Sequence, residues 1–136
     1  MPQFYVLSIL VNLLGGFLLA DDVLSKKLST FNISDKILKS EIYTLIFAII
    51  AAIAALFKII SVYAGDLYVI GDILPAVASF IIAAYFFCKY LLEKKGVLEG
   101  TFGSIDLFIE RYKSLLGIAC IIIAFLHFIF PQVLFL

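Results

Sequence analysis

The sequence predicts an all-α integral membrane protein, a single domain over 1–136 built as a four-helix bundle of two helical hairpins. The N- and C-termini are expected on the non-cytoplasmic side. Three observations carry this reading. The chain is 65% hydrophobic with a mean hydropathy of +1.20, far above the ~45–50% apolar usage of soluble domains. A soluble fold of 136 residues cannot cover so much apolar surface, so lipid must. Four apolar stretches each approach the roughly 20 residues needed to cross a ~30 Å hydrocarbon layer, and the basic residues gather in two of the segments that connect them.

The first stretch runs over about 4–24 (from FYVLSILVNLLGG) and closes on Asp21 and Asp22. It lacks a basic n-region and its apolar run is long for a signal peptide, so a retained span is expected, with cleavage after Ala20 the alternative. The polar segment 29–41 has apolar residues Ile33, Ile37 and Leu38 at helical spacing and cap candidates at Thr30 and Ser34. It reads as a cytoplasmic amphipathic lead-in. The second span covers about 42–63 with one internal charge, Lys58. The short connection that follows implies an antiparallel hairpin with the third span, about 73–92. Asp72 is placed to N-cap that helix, and Pro75 sits in its first turn, where a missing N–H costs little.

The glycines of EKKGVLEGTFGS mark a loop over 93–104. An amphipathic segment at about 104–113 (IDLFIERYK) leads into the fourth span, about 114–130, which Pro131 ends. Lys26, Lys27, Lys36 and Lys39 lie between the first two spans. Lys94, Lys95, Arg111 and Lys113 lie between the last two, with Lys89 on the same side; only Lys58 is near the other. By the positive-inside rule both loops face the cytoplasm of a multi-pass cell (inner) membrane protein. Tyr5, Tyr63 and Tyr68 fall at the outer boundary and Tyr43, Tyr85, Tyr90 and Tyr112 at the inner one, as interfacial aromatic belts would.

Sliding the first span onto the third aligns Tyr5 with Tyr68, Val6 with Val69, Phe17 with Phe80, Ala20 with Ala83 and Lys26 with Lys89. The second and fourth spans share Ile-Ala-x-Leu, at Ile53 and Ile123. A duplicated hairpin, a parallel internal repeat, is one source of this echo and chance matching of apolar residues the other.

Polar groups inside a bilayer are costly and are therefore the first candidates for function. Asn12, Lys58, Asp72 and His127, with Ser8 nearby, form an outer layer that suits a polar cavity or ion pathway. Each also has a plainer reading: Asn12 bonding a neighbouring helix, Lys58 snorkelling or pairing with Asp66 or Asp72, Asp72 as an N-cap, and His127 as an interfacial ring. An inner interfacial cluster is expected of Asp21, Asp22 and Lys26, the last four residues beyond Asp22 in the order that suits a helical pair. Gly15 and Gly16, with Ala48, Ala51, Ala52 and Ala55, form a helix-packing face.

Cys88 and Cys120 fall in apolar stretches without metal spacing and read as packing residues, and a lone histidine makes no metal site. No nucleophile elbow, P-loop, HExxH or dinucleotide fingerprint occurs, so neither enzymatic activity nor a cofactor is expected. A net charge of zero offers no field for nucleic acid. Beyond the lipid bilayer, a membrane-protein partner or a second copy is the expected company. The residues thus favour a structural or accessory membrane subunit; the alternative is a small-solute or ion transporter or channel using the outer polar layer.

Overall fold

The computed structural model describes residues 2–27, 40–60, 73–94 and 101–130. These form five helices and, among the described residues, no strand. The helices are α1 (Pro2–Leu19), α2 (Asp21–Lys27), α3 (Glu41–Ile60), α4 (Ile73–Lys94) and α5 (Thr101–Ile129). Three contain segments long and apolar enough to cross a membrane: Glu41–Ile60, Ile73–Leu91 and Glu110–Ile129. The apolar stretch Gln3–Leu19 is shorter. Lys36, Lys39 and the 29–39 lead-in, the 61–72 connection with Asp66 and Asp72, and the tail after 130 lie outside the described residues.

The first apolar stretch is not one helix over 4–24. Pro2 opens α1 at the position where a missing N–H costs nothing, and α1 ends at Leu19. The Ala20 carbonyl then accepts from the N–H groups of both Val23 and Leu24 at 3.0 Å, as an N-cap residue's carbonyl does. Asp21 and Asp22 therefore occupy the first turn of α2. There the positive end of the helix dipole favours carboxylates; the C-terminal end of a continuous span would have opposed them. The other correction concerns the last helix. Segment 104–113 and the apolar run after it form one helix of 29 residues, about 43 Å long. It starts at Thr101, so the glycine-marked loop is shorter than the composition suggested, and Gly103 lies within a helical turn.

α3 packs most extensively on α4, and α1 on α5. Narrower contacts join α4 to α5 and α1 to both α4 and α3. Contacts between α1 and α5 bring Tyr5 beside His127, so these two helices run antiparallel. Those between α1 and α4 bring Asn12 to Pro75, so these two run parallel. The common interior joins Val11 and Leu19 of α1, Ala48, Ala51 and Ala54 of α3, Ala78, Ile82, Tyr85 and Phe86 of α4, and Cys120 of α5. Phe47 meets Phe86 edge to face, with ring centroids 5.0 Å apart, a favoured aromatic geometry.

Small residues set the closest approaches. A Cβ on Gly117 would lie 2.6 Å from the Gly16 carbonyl oxygen and 2.6 Å from the Ala20 nitrogen, so α1 and α5 touch backbone to backbone. One on Gly15 would meet the Ile82 side chain at 2.6 Å. Ala48, Ala51, Ala54 and Ala55 are buried, whereas Ala52 is only partly so. The outward surface is made of large apolar side chains such as Ile42, Ile60, Phe80, Leu115 and Phe128. That is the inverse of a water-soluble protein, and a surface of this kind is suited to a lipid surround.

Candidate functional site

At the end of the helices marked by Pro2, Ile60, Ile73 and Ile129, a set of polar side chains turns inward. Ser8, Asn12 and Ser79 are fully buried, and Lys58 and His127 are 3% and 1% exposed. Their chemistry divides into two groups. In the first, the Ser79 hydroxyl donates to Asn12 Oδ1 at 2.8 Å. Asn12 Nδ2 donates in turn to the Pro75 carbonyl at 3.0 Å. Asn12 thus uses both ends of its amide on α4, which is how an amide can be carried inside a bilayer without a large desolvation cost.

The second group is centred on Tyr5. Its hydroxyl donates to the His127 carbonyl at 2.7 Å, and its ring lies 4.7 Å from the His127 imidazole, centroid to centroid. Lys58 Nζ stands 5.2 Å from the centre of the same ring, within cation–π range. Beside it, Phe4 stacks on Phe57 with centroids 4.3 Å apart and planes 5° from parallel. The Ser8 hydroxyl turns back to the Tyr5 carbonyl at 2.9 Å, the local bond expected of a serine in a helix.

Of the readings open to Lys58, outward snorkelling does not hold, since its chain is laid into the interior over Tyr5; the pairing with Asp66 or Asp72 falls on positions outside the described residues. Tyr5 itself is turned inward and is not a belt residue pointing at headgroups. Asn12, Lys58 and His127 therefore share one end of the molecule's interior, while Asp72 lies outside the described residues. Ser79 and Tyr5 complete the group. No sequence signal pairs Ser79 with Asn12, because 67 residues separate them and only the packing of α1 on α4 brings them together.

The opposite end carries a different arrangement. Lys113 Nζ bridges Asp22 Oδ2 at 2.8 Å and Glu110 Oε2 at 3.0 Å. Tyr85, buried inside the helices, donates its hydroxyl to Glu110 Oε1 at 3.1 Å, and Lys89 Nζ lies 5.8 Å from the Tyr85 ring centre. The partner of Asp22 is thus Lys113 of α5. Lys26 belongs to α2, but its side chain is outside the described residues. Tyr85 is likewise an interior residue, in contrast to Tyr43 and Tyr112, which are exposed. Asp21 stands at the start of α2 beside this cluster.

The small-residue face is spent inside the molecule. Gly15, Gly16, Ala48, Ala51 and Ala55 all meet neighbouring helices of the same chain. Cys88 and Cys120 are both buried. Among the described residues, no group of three or more His, Cys, Asp or Glu side chains could hold a metal ion.

A family model for a domain of unknown function matches residues 1–127. No curated protein matches the chain, and no solved structure does.

Proposed function

We propose that this chain, which belongs to the domain family of unknown function matched over residues 1–127, is a four-helix multi-pass protein of the cell (inner) membrane that takes a small solute or ion into its polar interior. Both termini would face away from the cytoplasm. The lysine and arginine distribution supports that orientation. The outward ring of Ile, Leu and Phe supports lipid as the surrounding solvent. α1, with 18 residues, reaches about 27 Å at 1.5 Å per residue, and a thinner or locally compressed bilayer accommodates that length at modest cost.

The observation that carries the functional reading is the burial of Lys58 and His127 together at one end of the helices. Lys58 stands in the last turn of α3, yet at 3% exposure its ammonium is withdrawn from water and headgroups, and burying such a charge costs free energy. A methionine of similar length would fill the same space without that cost. Keeping an ionisable pair there points to a use for it.

Flux in proteoliposomes tests this with imposed gradients of protons, sodium, potassium, chloride and a small uncharged polar solute such as glycerol. Wild-type protein should pass at least one of these faster than empty liposomes. Lys58→Met should lose that flux while melting in detergent at or above the wild-type temperature. Flux indistinguishable from empty liposomes across the panel would remove the reading.

A structural or accessory subunit is the second reading, favoured by one specific feature. Asn12, Ser79 and Tyr5 satisfy one another and neighbouring carbonyls, as polar side chains do when they only fasten helices together. Against it, the glycine and alanine faces that would seat a partner helix are occupied within the chain. Co-purification of a stoichiometric membrane protein in mild detergent, joined to an absence of flux, would favour this reading.

A further inference from the structure

The four long helices are joined by two chemically different kinds of contact. Within the pair α1 and α5, backbones meet at Gly16, Gly117 and Ala20. Within the pair α3 and α4, the most extensive contact of the molecule, α3 brings a row of buried alanines, and Phe47 locks against Phe86. Close small-residue contacts of this kind leave no space for a solute and lose dispersion steeply on parting.

Between the pairs the contacts change character along the helices. At the outer end Phe4 stacks on Phe57 and Lys58 covers Tyr5. Deeper, Ser79 and the Pro75 carbonyl of α4 bond Asn12 of α1. Deeper still comes an apolar step, where Gly15 lies against Ile82. At the far end the seam is polar again, with Tyr85 of α4 bonded to Glu110 of α5. A seam that is polar at both ends and apolar in its middle has the order of a gated path, in which an apolar constriction excludes water until its walls part. Exchanging α1 with α4 and α3 with α5 also maps the pattern of extensive and narrow contacts onto itself. This is the exchange that the two aligned hairpins, α1 with α3 and α4 with α5, would make; the α1–α4 contact at Asn12 and Ser79 joins one helix of each, and in repeat-built transporters solute sites lie where repeats meet.

We propose that α1 with α5 and α3 with α4 move as two units, and that a small polar solute binds between them at Asn12 and Ser79, above an apolar gate formed by Gly15 and Ile82. This deepens the transport reading and rests on it for the word solute, but the motion of the pairs is testable by itself. Ser79 and Ala54 are both fully buried, and each lies six positions from the outer end of its helix, Ile73 and Ile60. Ser79 is on the seam and Ala54 is in the row of alanines that α3 buries. A closed, static molecule would protect a thiol at either place.

The experiment places Ser79→Cys or Ala54→Cys in a background of Cys88→Ala and Cys120→Ala. Purified protein in nanodiscs is then treated with a charged maleimide. Ser79→Cys should react at least tenfold faster than Ala54→Cys, and Asn12→Cys, a second reporter on the facing helix, should match Ser79→Cys. Equal rates at all three positions, or no reaction at either seam position in variants that elute as wild type, would overturn the proposal. The two readings fail separately. Fast seam labelling without flux removes transport and leaves two moving pairs, whereas protected seam thiols remove the pairs whatever the flux.

Discussion

The crossing of α1 and α5 makes the sharpest demand on any substitution. A Cβ at position 117 would sit 2.6 Å from the Gly16 carbonyl oxygen of α1 and 2.6 Å from the nitrogen of Ala20, just past its end, and ordinary contact begins at 3.4 Å. A single methyl therefore requires at least 0.8 Å of separation (3.4 − 2.6), and neither backbone can rotate aside. In Gly117→Leu the rest of the side chain pushes the helices apart by on the order of 2 Å more, and most dispersion at the crossing is lost. With on the order of twenty atom pairs at ~0.1–0.2 kcal/mol each, that is about 2–4 kcal/mol. Leucine returns about 0.7 kcal/mol as a better helix former than glycine. The net expected loss is about 1.5–3 kcal/mol, in line with overpacked cores.

Equilibrium unfolding in mixed micelles measures the loss, with Ala119→Leu as the control. Ala119 lies two residues further along α5 on an exposed face, and its substitution should change stability by less than about 0.5 kcal/mol. If Gly117→Leu were as stable as wild type, or if Ala119→Leu cost as much, the backbone-to-backbone crossing would not be what fastens these two helices.

Other outcomes follow from the polar contacts and the orientation. Asn12→Ala and Ser79→Ala should each cost about 0.6–2 kcal/mol. The double variant should cost clearly less than their sum, because one hydrogen bond is counted twice; strict additivity in a double-mutant cycle would contradict the bond. Tyr85→Phe should lose about 0.5–1.5 kcal/mol through its bond to Glu110, read by the same unfolding assay. Asp22→Asn should cost less than about 1 kcal/mol, since Asp22 is more than half exposed in its pair with Lys113. That smaller effect should fade in molar salt, where the Debye length is ~3 Å. Alkaline phosphatase fused after Leu136 should be active and green fluorescent protein dark; the reverse pattern would invert the membrane orientation.

Composition and periodicity alone determine that the chain is helical and that its outer surface is made for lipid, because hydropathy is summed over whole segments and survives errors at any one residue. Where a helix begins and ends is less legible. Asp21 and Asp22 look like the close of a span in one dimension, yet the Ala20 carbonyl makes them the opening of α2, a difference that depends on two backbone hydrogen bonds. Asn12, Lys58 and His127 are visible as costly residues in apolar runs, but the pattern says only that each needs an explanation.

Packing supplies the rest. Lys58 could reach solvent by snorkelling or turn inward, and the choice depends on Tyr5, which arrives from a helix more than fifty residues earlier in the chain. Asp22 could pair with Lys26 on its own helix, but Lys113 lies at 2.8 Å. The alanines could face a partner or the chain's own helices, since a row of small residues is equally suited to both. Local spacing fixes which residues share a face. Only the juxtaposition of α1 with α4 and α5 decides what each face meets, because those contacts join positions too far apart in sequence for any periodicity to couple them.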